Sequence, residues 1–481
     1  MIAQKLAGLE PASVFGYFEK LCSIPHGSGN TKQISDYLVS FAEEHDLKYI
    51  QDDLNNVILF GPASAGYEDH EPVILQGHMD MVCEKDADCP IDFAVDGLDV
   101  THDDEWVFAK GTTLGGDDGI AVAYALALLA DKSIPHPPLE VIITVDEETG
   151  MYGAVGIDLS ALKGKRMINM DSEEEGIFTV SCAGGARATI SMAAPRHAVY
   201  GPCIRLSVDG LAGGHSGVEI DKNRANANKV MGEFLDEVKK LMPLCLTALS
   251  GGSKDNAIAR SCTASLVAMG MDLEPINEIA AKLQEKVRAE YDEPEAVISA
   301  DNIEALGGNA LSTQETDKII GLLCAAPNGV QSMCADMPGL VQTSLNLGIA
   351  KLDAEGFTAT FSVRSSVNQE KLDLLQKLGD LAALYDCKID ERGHYPAWEY
   401  KVDSELRELM VEKYRQMFAA EPQVVSIHAG LECGLFGEKI PGLDSVSIGP
   451  NMRDIHTSRE RLQIASVDRM WKYLLSLLEA M

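Results

Sequence analysis

The sequence predicts a mixed α/β fold in which helices flank a central sheet and a second domain is inserted into the chain. Three features predict this fold. They are four short apolar runs rich in β-branched residues, an Ala- and Leu-rich segment between the first two runs, and a middle region in which amphipathic helical stretches alternate with strand-like runs. A chain of 481 residues is too long for one compact core and long enough for two domains.

The four apolar runs are predicted to be strands of the central sheet. Their weak alternation is typical of strands that are covered on both faces. They are "PVILQG" from Pro72, "LEVIITV" from Leu139, "RMINM" from Arg166 and "SVSIG" from Ser445. Between the first two runs, "DDGIAVAYALALLAD" follows the Gly-containing turn "GTTLGG", which predicts a buried helix over residues 117–131.

The middle of the chain predicts a separate α+β domain. Amphipathic helical stretches alternate there with strand-like runs, and in "FTATFSVRSS" the apolar residues Phe357, Ala359, Phe361 and Val363 occupy one face of a strand. Two amphipathic helices flank the predicted strand "SVSIG" near the end of the chain. The α/β pattern of the first part of the chain therefore resumes there. We therefore predict a discontinuous catalytic domain, residues 1–186 and 397–481, and an inserted domain, residues 187–396.

Composition excludes several classes of partner. Forty basic residues against 74 acidic ones give a formal charge of −34, which disfavours nucleic acid and anionic membranes as partners. The eleven cysteines contain no CxxC pair, as expected for reduced thiols in a cytoplasm. Neither a signal peptide nor a long uncharged apolar stretch is present, so we expect a cytoplasmic protein that does not enter the membrane.

Residues able to bind a metal follow each predicted strand of the central sheet. Ligands of an open α/β sheet collect at the carboxyl ends of its strands, so we expect these side chains to converge. One such position alone is more often an ordinary solvated polar group, but all four runs share the feature. The candidates are His78, Asp80, Glu147, Glu148, Asp171 and His456, with Asp117 at the start of the predicted helix.

Two histidines and several carboxylates suit zinc or a related divalent ion. Asp117 is the candidate to bridge two ions. In "DEETG" the adjacent carboxylates of Glu147 and Glu148 diverge, so one can bind metal while the other carries a proton. His78 and Asp80 lie on the same side of an extended strand end, where His78 can hold the metal while Asp80 fixes its tautomer.

At these residues the sequence resembles the co-catalytic zinc exopeptidases, which include aminoacylases, carboxypeptidase G and peptidase T. Within them it is similar to the aminoacyl-histidine dipeptidases, the peptidase D type also called cytosol non-specific dipeptidases. The resemblance covers almost the whole chain in ordered blocks: "SIPHGSGN", "LQGHMDMVCEK", "GTTLGGDDGIAVAYALALL", "DEETGMYGA", "INMDSEEEG", "CAGG", "GLAGGHSGVEIDKNRANAN", "GGSKDNAIAR", "LVQTSLNLG", "FSVRSS", "IHAGLECGLF" and "GPNMRDIHTSRERL".

The resemblance implies a zinc exopeptidase-like fold with a lid or dimerisation domain, a homodimer, and two divalent ions, Zn²⁺ before Mn²⁺ or Co²⁺. It implies that His78 and Asp171 hold one ion, that Glu148 and His456 hold the other, and that Asp117 bridges both. It further implies roles for Asp80 in orienting His78, Glu147 as general base, His215 in polarising the carbonyl, and Asn256, Arg364 and Glu432 in substrate binding. Asp118 stands where relatives often have asparagine.

The expected function is metal-dependent hydrolysis of dipeptides with a free N-terminus, including Xaa-His dipeptides. An aminoacylase or carboxypeptidase-like amidase is the alternative within the family. A catalytically silent metal-binding protein and a thiol enzyme are the alternatives from other classes. "GGHSG" as a simple turn, Arg364 as a surface ion-pair residue, and structural roles for Glu432 and His428 also stay open.

Overall fold

A computed structural model describes residues 5–268, 273–335 and 337–481. The chain divides into two compact units. Unit 1 comprises Met1–Ser181, Tyr400–Ser426 and Leu431–Met481, and unit 2 comprises Cys182–Glu399 and Ile427–Gly430. None of the helices within the described ranges is both long and apolar enough to cross a membrane.

From residue 5 onward, the first part of unit 1 contains four helices and eight strands. In chain order they are α1 (Ala12–Cys22), α2 (Lys32–Glu44), β1 (Lys48–Gln51), β2 (Val57–Gly61), β3 (Val73–His78), β4 (Val100–His102), β5 (Trp106–Ala109), α3 (Gly116–Ala130), β6 (Leu139–Thr144), α4 (Tyr152–Gly156), β7 (Arg166–Asn169) and β8 (Ile177–Cys182).

Unit 2 follows with eleven strands and four helices among the described residues. In chain order they are β9 (Gly184–Met192), β10 (His197–Asp209), β11 (Gly214–His215), α5 (Ala227–Lys239), β12 (Leu244–Gly251), β13 (Ala257–Ile258), β14 (Cys262–Ala268), α6 (Leu273–Tyr291), β15 (Val297–Ala310), α7 (Thr313–Ala325), β16 (Gly329–Met333), β17 (Val341–Leu352), β18 (Phe357–Ser365), α8 (Asn368–Leu384) and β19 (Lys388–Tyr395).

The chain then returns to unit 1, where three helices and four strands complete the fold. They are α9 (Glu405–Phe418), β20 (Gln423–Ile427), α10 (Cys433–Lys439), β21 (Asp444–Ser447), β22 (Met452–Arg453), β23 (Arg461–Gln463) and α11 (Ile464–Ala480).

The central sheet of unit 1 has the order β1-β2-β6-β3-β7-β21-β8-β20. Its middle strands β6, β3, β7 and β21 run parallel, and β2 and β8 flank them antiparallel. These four strands are the four apolar runs, and nearly all of their residues are buried, as expected for strands covered on both faces. The predicted mixed α/β fold class is confirmed.

Helix α3 packs very closely on β3. An added Cβ at Gly77 would lie 2.7 Å from the Ala121 Cβ and 2.5 Å from the Asp118 Oδ2, so glycine is needed for this approach. The helix is buried along almost its whole length, because its Ala- and Leu-rich sequence has no polar face to expose. Asp117 and Asp118 have non-helical backbone dihedrals at its start, beside the end of β3.

The described residues of unit 2 form a nine-stranded sheet whose main order is β15-β10-β14-β12-β17-β18-β9-β19, with β16 paired to β17. Strand β18 alternates as its sequence predicts: Phe357, Ala359, Phe361 and Val363 are buried, and the residues between them are partly exposed. The buried side chains of α5, α6, α7 and α8 share one hydrophobic core with this sheet. The helices therefore cover one face of an antiparallel sheet.

Candidate metal centre

The candidate metal ligands of unit 1 lie at one edge of the central sheet. His78 ends β3, Glu147 and Glu148 follow β6, Asp171 follows β7, and His456 comes after β21. Because these four strands are parallel, their carboxyl ends meet at the same edge.

Asp117 lies between the two histidines. Its Oδ1 is 3.2 Å from the Nε2 of His78, and its Oδ2 is 3.2 Å from the Nε2 of His456. Asp171 Oδ1 lies 3.7 Å from the same His78 nitrogen, and Glu148 Oε1 lies 3.0 Å from the His456 nitrogen. The two oxygens of one carboxylate thus face two separate pairs, each of an imidazole and a second carboxylate.

This set of side chains fits divalent cations. In the part of the chain that the structure describes, three overlapping groups have ligand atoms within 4.8 Å of one another: His78 with Asp118 and Asp171, His78 with Glu147 and Glu148, and Asp117 with Glu148 and His456. Imidazole nitrogen and carboxylate oxygen are the donors that zinc and related ions take in proteins. Such crowding of acidic groups also needs compensating positive charge.

The imidazoles and carboxylates of the site shift one another's pKa values. Burial disfavours the charged imidazole of His78, but the carboxylates of Asp117 and Asp171 outweigh it and raise its pKa well above the usual value. Hydrogen bonds to Asp117 and Glu148 raise the pKa of His456 to about 11. Burial raises the pKa of Asp171 to about 7, although His78 opposes this shift. Burial and mutual hydrogen bonds thus shift the pKa values of the imidazoles and carboxylates of this site.

A hydrogen-bonded frame holds His78 and Glu147. The Nδ1 of His78 lies 2.9 Å from the carbonyl oxygen of Asp80 and 3.6 Å from its Oδ1, so the main chain of Asp80 is the nearer partner. The Asp80 carboxylate accepts hydrogen bonds from the Ser28 hydroxyl, at 2.7 Å, and the Glu147 N–H, at 3.1 Å. Met79 is buried, which leaves the residues on either side of it at the site.

Asp118 is a fully buried second carboxylate beside the centre. Its Oδ2 accepts a hydrogen bond from the His78 N–H at 3.2 Å, and its Oδ1 has no hydrogen-bond partner among the described residues. Burial, with the charge of Asp171 added to it, raises its pKa well above the usual value. The extra acidic group is thus placed against the main chain of a candidate ligand.

Glu432 belongs to unit 1 and is fully buried. Its Oε2 accepts hydrogen bonds from the Gln76 amide, at 2.6 Å, and the Thr144 hydroxyl, at 2.7 Å, and burial raises its pKa to about 8. Its Oε1 has no hydrogen-bond partner among the described residues. The carboxylate is therefore tied to β3 and β6 through Gln76 and Thr144.

In unit 2, His215 and Asn256 lie on neighbouring segments. Strand β11 pairs with β13, so that His215 is opposite Ala257, and the carbonyl of Asn256 accepts a hydrogen bond from the Ser216 N–H at 2.9 Å. The His215 Nδ1 accepts hydrogen bonds from the N–H groups of Gly217 and Val218. Its remaining nitrogen, Nε2, therefore carries the proton of the neutral ring.

Arg364 lies on β18, opposite Ser344 of β17. Its Nη1 lies 3.3 Å from the hydroxyl of Tyr395, while its buried Nε has no hydrogen-bond partner among the described residues. The Nε2 of His428 lies 2.7 Å from the Ser344 hydroxyl, and burial together with the charge of Arg364 lowers its pKa to about 4. Burial and the same charge lower the pKa of His215.

Comparisons with known proteins agree with this chemistry. The sequence family described as Peptidase family M20/M25/M40 matches residues 74–480. The chain belongs to this family. The "Cytosol non-specific dipeptidase" of Escherichia coli (strain K12) is 37% identical over 479 residues, which cover 99% of each chain.

Two solved structures are similar to this M20 peptidase over nearly its whole length. The aminoacylhistidine dipeptidase of Vibrio alginolyticus superimposes with a TM-score of 0.93 at 36% identity, covering 99% of this chain and 98% of that one. A tripeptidase of Staphylococcus aureus superimposes with a TM-score of 0.52 at 16% identity, covering 98% of both chains, and shows the fold alone.

Sequence reasoning missed two residues that support the centre of this M20 peptidase. Ser28 donates to Asp80, and Glu460 accepts hydrogen bonds from the loop that carries Asp117. Ser28 lies in the block "SIPHGSGN" and Glu460 in the block "GPNMRDIHTSRERL". Nothing in the sequence around either residue indicates a role at a metal site. Their partners are distant in the chain, so only the folded structure reveals their contacts.

Proposed function

We propose that this chain is a metal-dependent dipeptidase that hydrolyses dipeptides with a free N-terminus, including Xaa-His dipeptides. The observation that carries the proposal is the position of Asp117 between His78 and His456, 3.2 Å from each imidazole. The names of the two relatives that cover the chain almost completely, a non-specific dipeptidase and an aminoacylhistidine dipeptidase, support this substrate class.

Two divalent ions would be held by the five candidate ligands. His78 and Asp171 would hold one ion, Glu148 and His456 the other, and Asp117 would contact both. The mixed nitrogen and oxygen donors favour Zn²⁺, and Mn²⁺ and Co²⁺ accept the same donors. Bound in pairs, such ions polarise a carbonyl and acidify a water molecule.

Glu147 would act as the general base. The Glu147 N–H donates a hydrogen bond to the Asp80 carboxylate. This contact fixes the segment after β6, which carries the Glu147 side chain beside His78. The carboxylate would take the proton of the attacking water and pass it to the leaving amine. Asp80 would act through both neighbours, by holding the His78 ring and the Glu147 main chain.

The proposed substrate-binding residues His215, Asn256 and Arg364 belong to unit 2, and Glu432 belongs to unit 1. His215 would donate its Nε2 proton to the developing oxyanion. Arg364 would bind the terminal carboxylate of the dipeptide bidentately, and Asn256 would donate to its main chain. Glu432 would bind the free amine. In this proposal, residues 1–186 and 397–481 form the catalytic domain and residues 187–396 the lid.

A comparison of two substrate classes tests the proposal. Purified protein is assayed on Xaa-His dipeptides and on N-acetyl amino acids, before and after chelation, with the metal content measured in parallel. We expect faster hydrolysis of dipeptides, its loss after chelation and its return when Zn²⁺, Mn²⁺ or Co²⁺ is added. Faster hydrolysis of N-acetyl amino acids would favour the aminoacylase-like alternative, and inhibition by alkylation but not by chelators would favour a thiol enzyme.

We also propose a cytoplasmic homodimer without nucleic-acid or membrane partners. The cytosolic relative and the formal charge of −34 support the location and the excluded partners. Light scattering of the purified protein tests the homodimer, because a monomer at assay concentrations would contradict it.

A further inference from the structure

The carboxylate of Glu460 is buried against the loop that precedes Asp117, with only 3% of the residue exposed. Its Oε2 accepts hydrogen bonds from the N–H groups of Leu114, at 2.7 Å, and Gly115, at 3.1 Å. Its Oε1 accepts from the N–H groups of Gly116, at 2.8 Å, and Asp117, at 3.4 Å. Four successive N–H groups thus converge on one carboxylate, an arrangement in which charge-assisted hydrogen bonds fix the main chain.

The glycines of this loop permit the close approach. Gly115 has a φ of 68°, in the left-handed region that favours glycine. An added Cβ at Gly116 would lie 3.2 Å from the Glu460 Oε1 and 3.2 Å from the Met452 Sδ, closer than ordinary packing allows. The "GG" before Asp117 therefore shapes the loop around the carboxylate.

Glu460 also belongs to the segment that carries His456. The Glu460 N–H donates to the carbonyl of Thr457 at 3.1 Å, which closes a turn directly after the histidine. One side chain therefore connects the segment of His456 to the loop of Asp117, although these two residues are 339 positions apart. Both carry atoms of the same candidate metal group.

We propose that Glu460 is a positioning residue that sets the separation of Asp117 and His456 and so determines the metal affinity of the centre. The inference rests on the proposed function insofar as these residues bind metal. Glu460 contacts no reacting atom in this account, and it acts by fixing the main chain of a ligand. Hydrogen bonds of this kind to ligand-bearing groups govern metal affinity in many sites.

Glu140 offers a matched control within the same unit. It is also buried, with 5% of the residue exposed, and its two oxygens accept hydrogen bonds from the N–H groups of Lys163, at 2.9 and 3.1 Å, and Gly164, at 2.9 Å. It lies near the amino end of β6, whereas the candidate ligands lie at the carboxyl ends of the strands. Its loss removes a comparable structural contact without touching the metal centre.

Calorimetric titration with Zn²⁺, combined with the absorption spectrum of the Co²⁺-loaded protein, compares wild type with Glu460→Gln and Glu140→Gln. Glutamine keeps the shape of Glu460 but turns its NH₂ group toward two N–H donors. We expect Glu460→Gln to bind metal about 10- to 100-fold more weakly. We expect Glu140→Gln to keep the affinity and spectrum of wild type, although its melting temperature falls. Wild-type affinity in Glu460→Gln, or equal weakening in both variants, would overturn the proposal.

Glu460→Asp keeps the test decisive if the glutamine variant does not fold. The aspartate retains the charge but is one methylene shorter, so it loses part of the four-fold contact and should bind metal more weakly than wild type. Unchanged affinity in Glu460→Asp would overturn the positioning role. Because the titration needs no substrate, a wild-type protein that binds two ions but hydrolyses no dipeptide would contradict the proposed function alone.

Discussion

The main-chain N–H of Glu147 donates to the carboxylate of Asp80, with 3.1 Å between N and Oδ1. This one contact links the end of β3 to the segment that follows β6. The candidate base and the candidate ligand His78 are consequently held by the same residue, which lies 2.9 Å from the His78 ring through its carbonyl oxygen.

The Asp80 carboxylate should be needed for full activity. Asp80→Ala removes the acceptor of both Ser28 and Glu147, and we expect kcat/KM on dipeptides to fall about 10- to 100-fold. Ser28→Ala removes only one of the two donors to the Asp80 carboxylate, a hydrogen bond worth about 1 kcal/mol, and should cause a smaller loss. Steady-state kinetics of the two variants measures both effects, and an Asp80→Ala enzyme with wild-type kcat/KM would show that the frame is not needed.

Glu147 allows metal binding to be separated from turnover. Glu147→Gln removes the proposed base but none of the five proposed ligands, so kcat should fall about 10²- to 10⁴-fold while two ions still bind. Metal analysis of the variant is the control for site integrity. A near-wild-type kcat would remove Glu147 from the base role.

Arg364 should affect substrate binding through its shape as well as its charge. Arg364→Lys keeps the positive charge but cannot pair bidentately with a terminal carboxylate, so KM for dipeptides should rise. Dipeptide amides, which lack that carboxylate, provide the matched comparison, because their hydrolysis should change little in the variant. Equal effects on both substrates would contradict recognition of the carboxylate by Arg364.

Most of the site's main features could be predicted from sequence, but its supporting contacts could not. The rule that ligands collect at the carboxyl ends of parallel strands predicts the meeting of His78, Asp117, Asp171 and His456, and the structure brings these side chains together. No local pattern indicates that Glu460 accepts four N–H groups, because the contact depends on how two distant segments fold.

The fold shows the same division. Buried parallel strands such as Val73–His78 have distinctive apolar runs, and β18 has clear alternation, so both are predictable. Strands of three or two residues, such as Val100–His102 and Gly214–His215, are too short to show a periodic pattern in the sequence. The complete burial of Glu432 could not be predicted from the sequence either, because acidic residues are usually exposed to solvent.

His428 should make the stability of unit 2 depend on pH. Its folded pKa of about 4 lies below the usual histidine value, so the unfolded chain binds the proton more tightly. Above the pKa of the unfolded chain, His428 is neutral in both states and does not change the free energy of unfolding. As the pH falls from there toward the folded pKa, the free energy of unfolding decreases. From pH 7 to pH 4.5 the loss should be about 2 kcal/mol.

Thermal unfolding of wild type and His428→Gln at the two pH values measures this effect. The variant lacks the titrating imidazole, so its melting temperature should fall less on acidification than that of wild type. Other acid-sensitive groups are shared by both proteins and cancel in the comparison. Parallel pH dependences would show that His428 is not held neutral by its surroundings.

Anomalous diffraction from crystals grown with Zn²⁺ tests the central claim most directly. We expect two metal peaks about 3.5 to 4 Å apart, one on each side of the Asp117 carboxylate. One peak should contact His78 and Asp171, and the other Glu148 and His456. Peaks elsewhere in the molecule, with none beside Asp117, would contradict the two-ion centre.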